Sequence, residues 1–189
     1  MDKYEHDEKA LRLGLQKPLV LVGMMGSGKS HVGRLLAGRL ELDFYDTDSL
    51  VEERAGRSTS EIFEAFGEAK FREAERNAVL DILERGPCVI ATGGGAVTNP
   101  DTLAAIKDKG VSIWLKASVS TLLERIGRCG NRPLLQQGDP GAVLERLLEA
   151  RRPLYEQADV MLETAGESAD HVAENVIKAL CAYLDPRTK

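Results

Sequence analysis

The sequence contains few cysteines, and no two of them have the spacing of a metal site. The three are Cys88, Cys129 and Cys181, and no C-x-x-C pair occurs. Neither a zinc site nor a disulfide framework is therefore predicted. The chain also lacks any apolar run that approaches the roughly 20 residues of a membrane-spanning helix. Residues 1–17 are charged throughout and show no apolar signal-peptide core, so we expect a cytoplasmic protein without a membrane partner.

An excess of positive charge is absent as well. The 25 Lys and Arg residues are outnumbered by 30 Asp and Glu residues, which gives a net charge of −5. A general nucleic-acid binder needs a basic face, so no nucleic-acid partner is expected. No internal repeat or coiled-coil pattern is present, and we expect a monomer. We predict a single domain at 18–189, preceded by an extension at 1–17 that is either poorly ordered or a short extra helix.

Residues 23–30 read Gly-Met-Met-Gly-Ser-Gly-Lys-Ser and fit the phosphate-loop pattern G-x-x-x-x-G-K-[ST]. The glycines leave room for backbone N–H groups to surround a polyphosphate. Lys29 is predicted to reach the β- and γ-phosphates, and Ser30 to ligand Mg²⁺. The apolar run at 18–22 predicts a buried strand, and the apolar spacing after Ser30 predicts a helix. Because the motif requires this context, a turn that binds nothing is the weaker interpretation.

Strand and helix patterns alternate along the rest of the chain. Further strands are predicted at 44–46, 88–92, 111–115 and 160–162, and helices at 68–84, 139–151 and 168–184. The alternation predicts an α/β fold with a parallel sheet covered on both faces. Ligands of such sheets bind beyond the carboxyl ends of the strands.

Two stretches interrupt the alternation. Residues 48–84 contain several helical segments and no strand, with a capping box at 58–61 and Gly67 between the later pieces. We expect this helical insertion to hold a second substrate. Residues 127–138 are polar, contain glycine and carry two arginines. A mobile lid over a phosphate site is the preferred interpretation of this stretch, and an ordinary surface loop is the alternative.

Acidic and glycine residues follow two of the predicted strands. Asp46 is suited to hold Mg²⁺, directly or through water. Asp48 could take the proton of an acceptor hydroxyl or only orient that hydroxyl, and capping the next helix is a further role open to it. The strand at 88–92 ends in Thr rather than in the Asp of a standard Walker B strand, which favours Asp46 as the metal ligand. The three glycines at 93–95 predict a close ligand contact, with a flexible turn as the alternative.

Arginines form the third group of candidates. An arginine can bind a carboxylate or phosphate through two hydrogen bonds. The candidates for such contacts are Arg72, Arg132 and Arg151. Arg125 and Arg128 are candidates for contacts with ATP, by stacking on adenine or by binding phosphate.

Taken together, these residues resemble the shikimate kinase family from about Leu19 to Glu163. The matching segments occur in one order along the chain, and their joint occurrence is far more specific than the phosphate loop alone. They are the phosphate loop at 23–30, Asp-Thr-Asp at 46–48, Ala-Gly-Arg-Ser at 55–58, Ile-Phe at 62–63, Phe-Arg-Glu at 71–73, Thr-Gly-Gly-Gly-Ala-Val at 92–97, Arg-Pro-Leu-Leu at 132–135, and Arg151 followed by Pro-Leu-Tyr at 153–155.

The resemblance implies a P-loop NTPase fold of the nucleoside-monophosphate-kinase type, with a five-stranded parallel sheet. It implies phosphorylation of the 3-hydroxyl of shikimate by ATP, in the chorismate route to aromatic amino acids. The implied catalytic residues are Lys29, Asp48 and Arg132. The implied shikimate contacts are Asp48, Arg72, Gly94, Gly95 and Arg151. The implied nucleotide contacts are Gly26, Ser27, Gly28, Lys29, Ser30, His31, Arg125, Arg128 and Arg132, while Ser30 and Asp46 serve Mg²⁺.

Two features depart from the family pattern. His31 stands where the family usually has Thr or Ser, and the N-terminal extension is longer than in the shortest members. Three rival interpretations of these motifs exist. A gluconate kinase of the same fold does not account for the segments at 46–48, 93–95 and 132–135. A GTPase-type switch needs an Asn/Thr-Lys-x-Asp segment, which the sequence lacks. The third rival is a kinase-like protein that binds its ligands without catalysis.

Overall fold

A parallel sheet of five strands forms the centre of the structure. The computed structural model describes residues 8–9, 11–12, 14–127 and 139–184. The strands are β1 (Leu19–Val22), β2 (Phe44–Asp46), β3 (Val89–Ala91), β4 (Val111–Ala117) and β5 (Val160–Thr164). Their order across the sheet is β2-β3-β1-β4-β5, and every pairing is parallel. The predicted five-stranded parallel sheet is confirmed, and β1 is buried throughout because apolar side chains pack on both faces of the sheet.

Helices connect the strands and cover the sheet. They are α1 (Lys29–Leu40), α2 (Thr47–Ala55), α3 (Thr59–Leu83), α4 (Pro100–Lys109), α5 (Val119–Gly127), α6 (Pro140–Tyr155) and α7 (Ala169–Leu184), with a 3₁₀ turn at Ala96–Thr98. The sequence patterns above did not predict α4 or α5. A start signal for α4 was nevertheless present, because the Asn99 side chain caps the helix and Pro100 follows as its first residue.

Apolar side chains form one large cluster on each face of the sheet. On one face Leu36 of α1 and Val176 of α7 pack against the strands. Leu11 and Leu15, which precede β1, are buried in this same cluster at 3% and 4% exposure. On the other face, side chains from α3, α4 and α6 complete the second cluster. The sheet is therefore covered on both sides, and residues before β1 contribute to its core.

The helical insertion after β2 consists of α2 and a kinked α3. Ser58 and Glu61 form the predicted capping box at the start of α3. Gly67 has φ 78° and ψ 169°, which is not helical, so α3 consists of two helical pieces that meet at this glycine. Val51 and Phe71 belong to a third apolar cluster that holds α2 against α3.

The register of the strands brings the predicted site segments to one edge. Asp46 of β2 and Leu21 of β1 both pair with Ala91 of β3. The phosphate loop, Asp46 and the three glycines after β3 therefore leave the sheet side by side, at the carboxyl edge where α/β ligands bind. Within the part of the chain that the structure describes, no helix is long and apolar enough to cross a membrane.

Candidate active site

The phosphate loop surrounds one end of a cavity of about 470 Å³ at this edge. Gly23, Gly26 and Gly28 have φ values of 138°, 79° and 95°, which L-residues with side chains rarely adopt. Space is also restricted, since a Cβ at Gly23 would lie 2.7 Å from the Leu115 carbonyl and a Cβ at Gly26 would lie 2.8 Å from Ile126. The loop therefore requires these glycines in order to keep its concave shape.

Lys29 lies at the base of the loop as the first residue of α1. Its side chain is almost fully buried, and Nζ donates to the carbonyls of Gly23 and Met24, both at 2.8 Å. The ammonium group therefore lies in the concavity formed by the loop, at the positive end of α1. This is the position from which a lysine can neutralise bound phosphates.

Ser30 and Asp46 meet beside the loop. The Ser30 hydroxyl donates to Asp46 Oδ2 at 2.5 Å, while Asp46 Oδ1 accepts from the backbone N–H groups of Asp48 and Ser49. Asp46 is therefore the N-cap of α2, the role that was open to Asp48. Among the described residues no group of three or more His, Cys, Asp or Glu could hold a metal. Two oxygen ligands fit Mg²⁺, which in phosphate sites takes its remaining ligands from phosphates and water.

Asp48 lies where this cavity meets a second, smaller one. Met25, Asp48 and Gly94 line both cavities. The second cavity is formed by the helical insertion and the glycines after β3, and its lining includes Phe63, Phe71, Arg72, Glu75 and Arg151. Phosphates held by the loop and a molecule in the second cavity would therefore both approach the Asp48 carboxylate.

Close approach of side chains explains the three glycines after β3. A Cβ at Gly93 would lie 2.0 Å from Glu75 Oε1 and 2.6 Å from Asp48 Oδ1. A Cβ at Gly95 would lie 2.7 Å from Arg72 Nη1. The loop is also tied to α2, because the backbone N–H of Gly93 donates to Thr47 Oγ1 at 3.0 Å. The glycines thus let charged side chains of α2 and α3 lie directly on the loop backbone.

An arginine from α3 and one from α6 border the second cavity. Arg72 Nη1 donates to Glu75 Oε2 at 2.7 Å. Glu75 is only 2% exposed, and its other oxygen has no hydrogen-bond partner among the described residues. Burial raises the pKa of the Glu75 carboxyl, and Arg72 opposes that rise. Arg151, which also lines the cavity, donates to the Gly94 carbonyl at 3.0 Å.

Tyr155 donates a hydrogen bond to the same carbonyl as Arg151, that of Gly94. Its hydroxyl donates to the Gly94 carbonyl at 2.6 Å, and its ring stacks on Trp114 with centroids 5.7 Å apart. Burial raises the pKa of Tyr155 to about 12, so the hydroxyl keeps its proton at neutral pH. The end of α6 therefore fixes the glycine loop through two donors.

Arg125 is a candidate for contacts with the nucleotide, and it lines the larger cavity beside the phosphate loop. Arg125 donates to the Ser27 carbonyl at 3.3 Å and to the Ala165 carbonyl at 2.5 Å, so it joins the phosphate loop to the end of β5. His31 also lines this cavity. Arg128 and Arg132, with the rest of the predicted lid at 128–138, lie outside the described residues.

Sequence reasoning missed Thr47, Glu75 and Tyr155. Tyr155 lay inside a recognised segment, but no role followed from the segment alone. Glu75 stands three residues after Arg72, which is a signal for an ion pair on one helix face. Burial of that pair, and its approach to Asp48, depend on where α3 packs and could not be predicted from spacing.

A phosphate loop that shares an aspartate with an arginine-lined second cavity defines a phosphotransferase of the P-loop class, with a nucleotide as one substrate. A sequence model of the shikimate kinase family matches residues 25–181. The shikimate kinase of Paramagnetospirillum magneticum is 47% identical over 169 residues, which cover 89% of this chain and 87% of the relative. That of Brucella canis is 45% identical over 169 residues, which cover 89% of this chain and 84% of the relative. The chain belongs to the shikimate kinase family.

A solved structure agrees with that assignment. The shikimate kinase from Acinetobacter baumannii in complex with shikimate matches with a TM-score of 0.83 at 37% identity. The match covers 86% of this chain and 91% of that one. The resemblance stated from the sequence is thereby confirmed.

Proposed function

We propose that the chain transfers the γ-phosphoryl group of ATP to the 3-hydroxyl of shikimate, giving shikimate 3-phosphate and ADP on the route to chorismate and the aromatic amino acids. Membership of the shikimate kinase family makes it an enzyme that phosphorylates shikimate. One observation carries the detailed proposal: the phosphate-loop cavity and the arginine-lined cavity share Asp48. A donor phosphate on one side and an acceptor hydroxyl on the other would meet there.

In the smaller cavity, Arg72 and Arg151 hold the shikimate carboxylate, and Gly94 and Gly95 line the site beside it. Both arginines border this cavity, and Arg151 is only 8% exposed. Partly buried guanidinium groups pair strongly with carboxylates because little water competes for them. With the carboxylate held there, the ring of shikimate directs a hydroxyl towards Asp48.

In the larger cavity, Gly26, Ser27 and Gly28 contact the phosphates through the loop, and Lys29 neutralises charge on them. Ser30 and Asp46 would hold Mg²⁺, which when bound would neutralise charge on the phosphates. Arg125 and His31 serve the nucleotide end of the cavity, and both line it. We propose Arg128 for the nucleotide, and Arg132 for both the nucleotide and catalysis, on the family resemblance alone.

Catalysis rests on position and charge, since phosphoryl transfer needs little covalent assistance from a protein. Asp48 accepts the hydrogen bond of the acceptor hydroxyl and either takes its proton or only orients it. The Asp48→Asn variant separates these roles. If the carboxylate takes the proton, kcat falls by roughly a hundredfold or more. If it only positions the hydroxyl, KM for shikimate changes and kcat does not.

We also propose that the enzyme acts as a monomer in the cytoplasm. Cys88, which is buried in the core, is a free thiol, and this fits a reducing compartment. The absence of a coiled-coil pattern from the sequence supports a monomer. Light scattering after size-exclusion chromatography measures the molar mass, and 20.6 kDa is the value expected for one chain.

The identity of the product tests the proposed function directly. Purified protein is incubated with Mg²⁺-ATP and shikimate, and the product is analysed by ³¹P and ¹H NMR. A new phosphomonoester coupled to the proton on carbon 3 is expected. Phosphate on another hydroxyl of shikimate would contradict the proposal. So would formation of ADP and inorganic phosphate without any phosphorylated shikimate.

A further inference from the structure

Arg72 already pairs with two carboxylates of its own helix. Nη1 donates to Glu75 Oε2 at 2.7 Å. On another edge, Nε and Nη2 donate to Glu68 Oε1 at 3.3 Å and 3.2 Å. One face of the guanidinium lies on Gly95, where a Cβ would be 2.7–2.8 Å from Nη1, Cζ and Nη2. A carboxylate that forms a bidentate pair with an arginine can use the guanidinium edge formed by Nε and Nη2. In Arg72 this edge is occupied by Glu68.

The two carboxylates differ in how easily they can be displaced. The Glu75 side chain is 2% exposed, whereas the Glu68 side chain is 56% exposed. Releasing Glu75 would leave a charge buried without a partner, which is costly. Releasing Glu68 exposes its carboxylate to water, and an exposed ion pair contributes little to stability. Glu68 also directly follows Gly67, the non-helical residue inside α3. Glu75 is therefore the permanent partner of Arg72, and Glu68 is the exchangeable one.

We propose that Glu68 is an internal competitor for the acceptor's carboxylate: it holds Arg72 until a carboxylate on the substrate replaces it. This inference rests on the proposed role of Arg72 in binding shikimate. An incoming carboxylate wins because it gains Arg151 as well as Arg72, while the described contacts of Glu68 include Arg72 alone. A molecule that carries no carboxylate leaves the Glu68 pair in place. Glu68 thereby lowers the apparent affinity for an acidic acceptor and leaves the binding of a neutral molecule unchanged.

The variant Glu68→Gln tests the proposal, because glutamine keeps the size of the side chain but is a weaker partner for arginine. The dissociation constant of shikimate, measured by isothermal titration calorimetry, is expected to fall about two- to fivefold, the contribution of a typical exposed ion pair. KM for shikimate falls by the same factor in steady-state assays, while kcat and KM for ATP stay as in the wild type.

Glu73→Gln is the matched control. Glu73 lies on the same helix and is also 56% exposed, but it pairs with Lys70 at 2.8 Å rather than with Arg72. This variant should bind shikimate like the wild type. Thermal unfolding of both variants, followed by circular dichroism, shows whether each is folded.

Two results would overturn the proposal. One is a dissociation constant in Glu68→Gln that is unchanged or higher, which would make Glu68 a helpful or neutral partner of Arg72. The other is an equal gain in Glu73→Gln, which would reflect the loss of any negative charge on the helix. Failure of the proposed function is distinguishable, because the wild type would then neither bind nor phosphorylate shikimate.

Discussion

Asp48 of α2 and Glu75 of α3 approach each other across the backbone of Gly93. Asp48 Oδ1 and Glu75 Oε1 lie 2.6 Å and 2.0 Å from one point, the place that a Gly93 Cβ would occupy. Two acidic side chains are thus neighbours in a partly buried site, which disfavours two negative charges. Gly93 separates the residue proposed to meet the acceptor hydroxyl from the residue that holds Arg72.

Gly93→Ala should disrupt this arrangement. The added methyl group has no space, and overpacking of this kind costs about 1–3 kcal/mol. We expect kcat/KM for shikimate to fall about tenfold or more, because Asp48, Glu75 or the loop must move. Gly38→Ala is the control, since nothing lies within 4 Å of a Cβ there and alanine favours the interior of α1. Full activity in Gly93→Ala would show that the geometry at Gly93 is not needed for turnover.

Glu75→Gln should change how stability depends on pH. Burial raises the pKa of this carboxyl above its ordinary value of 4.5. The folded protein therefore holds the proton more tightly than the unfolded chain does, and the contribution of Glu75 to stability falls as pH rises above 4.5. Glutamine does not titrate. As pH rises, the free energy of unfolding of the variant should therefore increase relative to that of the wild type.

Urea unfolding between about pH 4 and pH 7 measures that difference. If the wild type instead becomes more stable relative to the variant as pH rises, the ion pair with Arg72 outweighs burial and lowers the pKa of Glu75. Either trend is visible only if both proteins remain two-state, which coincident fluorescence and circular dichroism transitions establish.

Tyr155→Phe should loosen the glycine loop without emptying the core. The variant loses one donor to the Gly94 carbonyl, while Arg151 still donates to it. We expect the free energy of unfolding to drop by about 1 kcal/mol. KM for shikimate should rise severalfold, because Gly94 and Arg151 both border the acceptor cavity. An unchanged KM together with lowered stability would limit Tyr155 to a structural role.

Lys29→Ala should abolish turnover and leave the fold intact. Removing a charge aimed at a transferring phosphate costs about 10²–10³-fold in kcat or more. Lys116→Ala is a suitable control, since Lys116 pairs with Glu163 on the surface and lies outside the phosphate loop. Normal kinase activity in Lys29→Ala, measured with circular dichroism on the same protein, would contradict the phosphate-loop assignment.

The strands of the sheet could be predicted from the sequence because they are short apolar runs followed by turn signals. β1 and β3 are buried at every position and carry almost no polar residues. The order of the strands was not predicted, since it depends on which strands pair across the sheet. α5 was also missed, although Ser118 precedes it and accepts from the backbone N–H of Thr121 in the manner of a helix cap.

The glycines of the candidate site were the part most readily recognised in the sequence, because their role depends on the backbone. The spacing of glycines in the phosphate loop and after β3 indicates close approach, whatever the partner is. Glu68 and Glu75 could not be assigned in this way, because both are ordinary helical glutamates in sequence. Only the packing of α3 against the glycine loop makes one of them buried and leaves the other exposed.

The most direct test of the account is ADP release from Mg²⁺-ATP, measured in a coupled assay with shikimate, with gluconate and with no acceptor. We predict turnover that depends on shikimate, with little ATP hydrolysis in its absence. Turnover with gluconate alone would retain the fold and the phosphate loop but contradict the assignment of shikimate as the acceptor. A protein that binds ATP and stays silent with every acceptor would contradict the central claim that this site is catalytic.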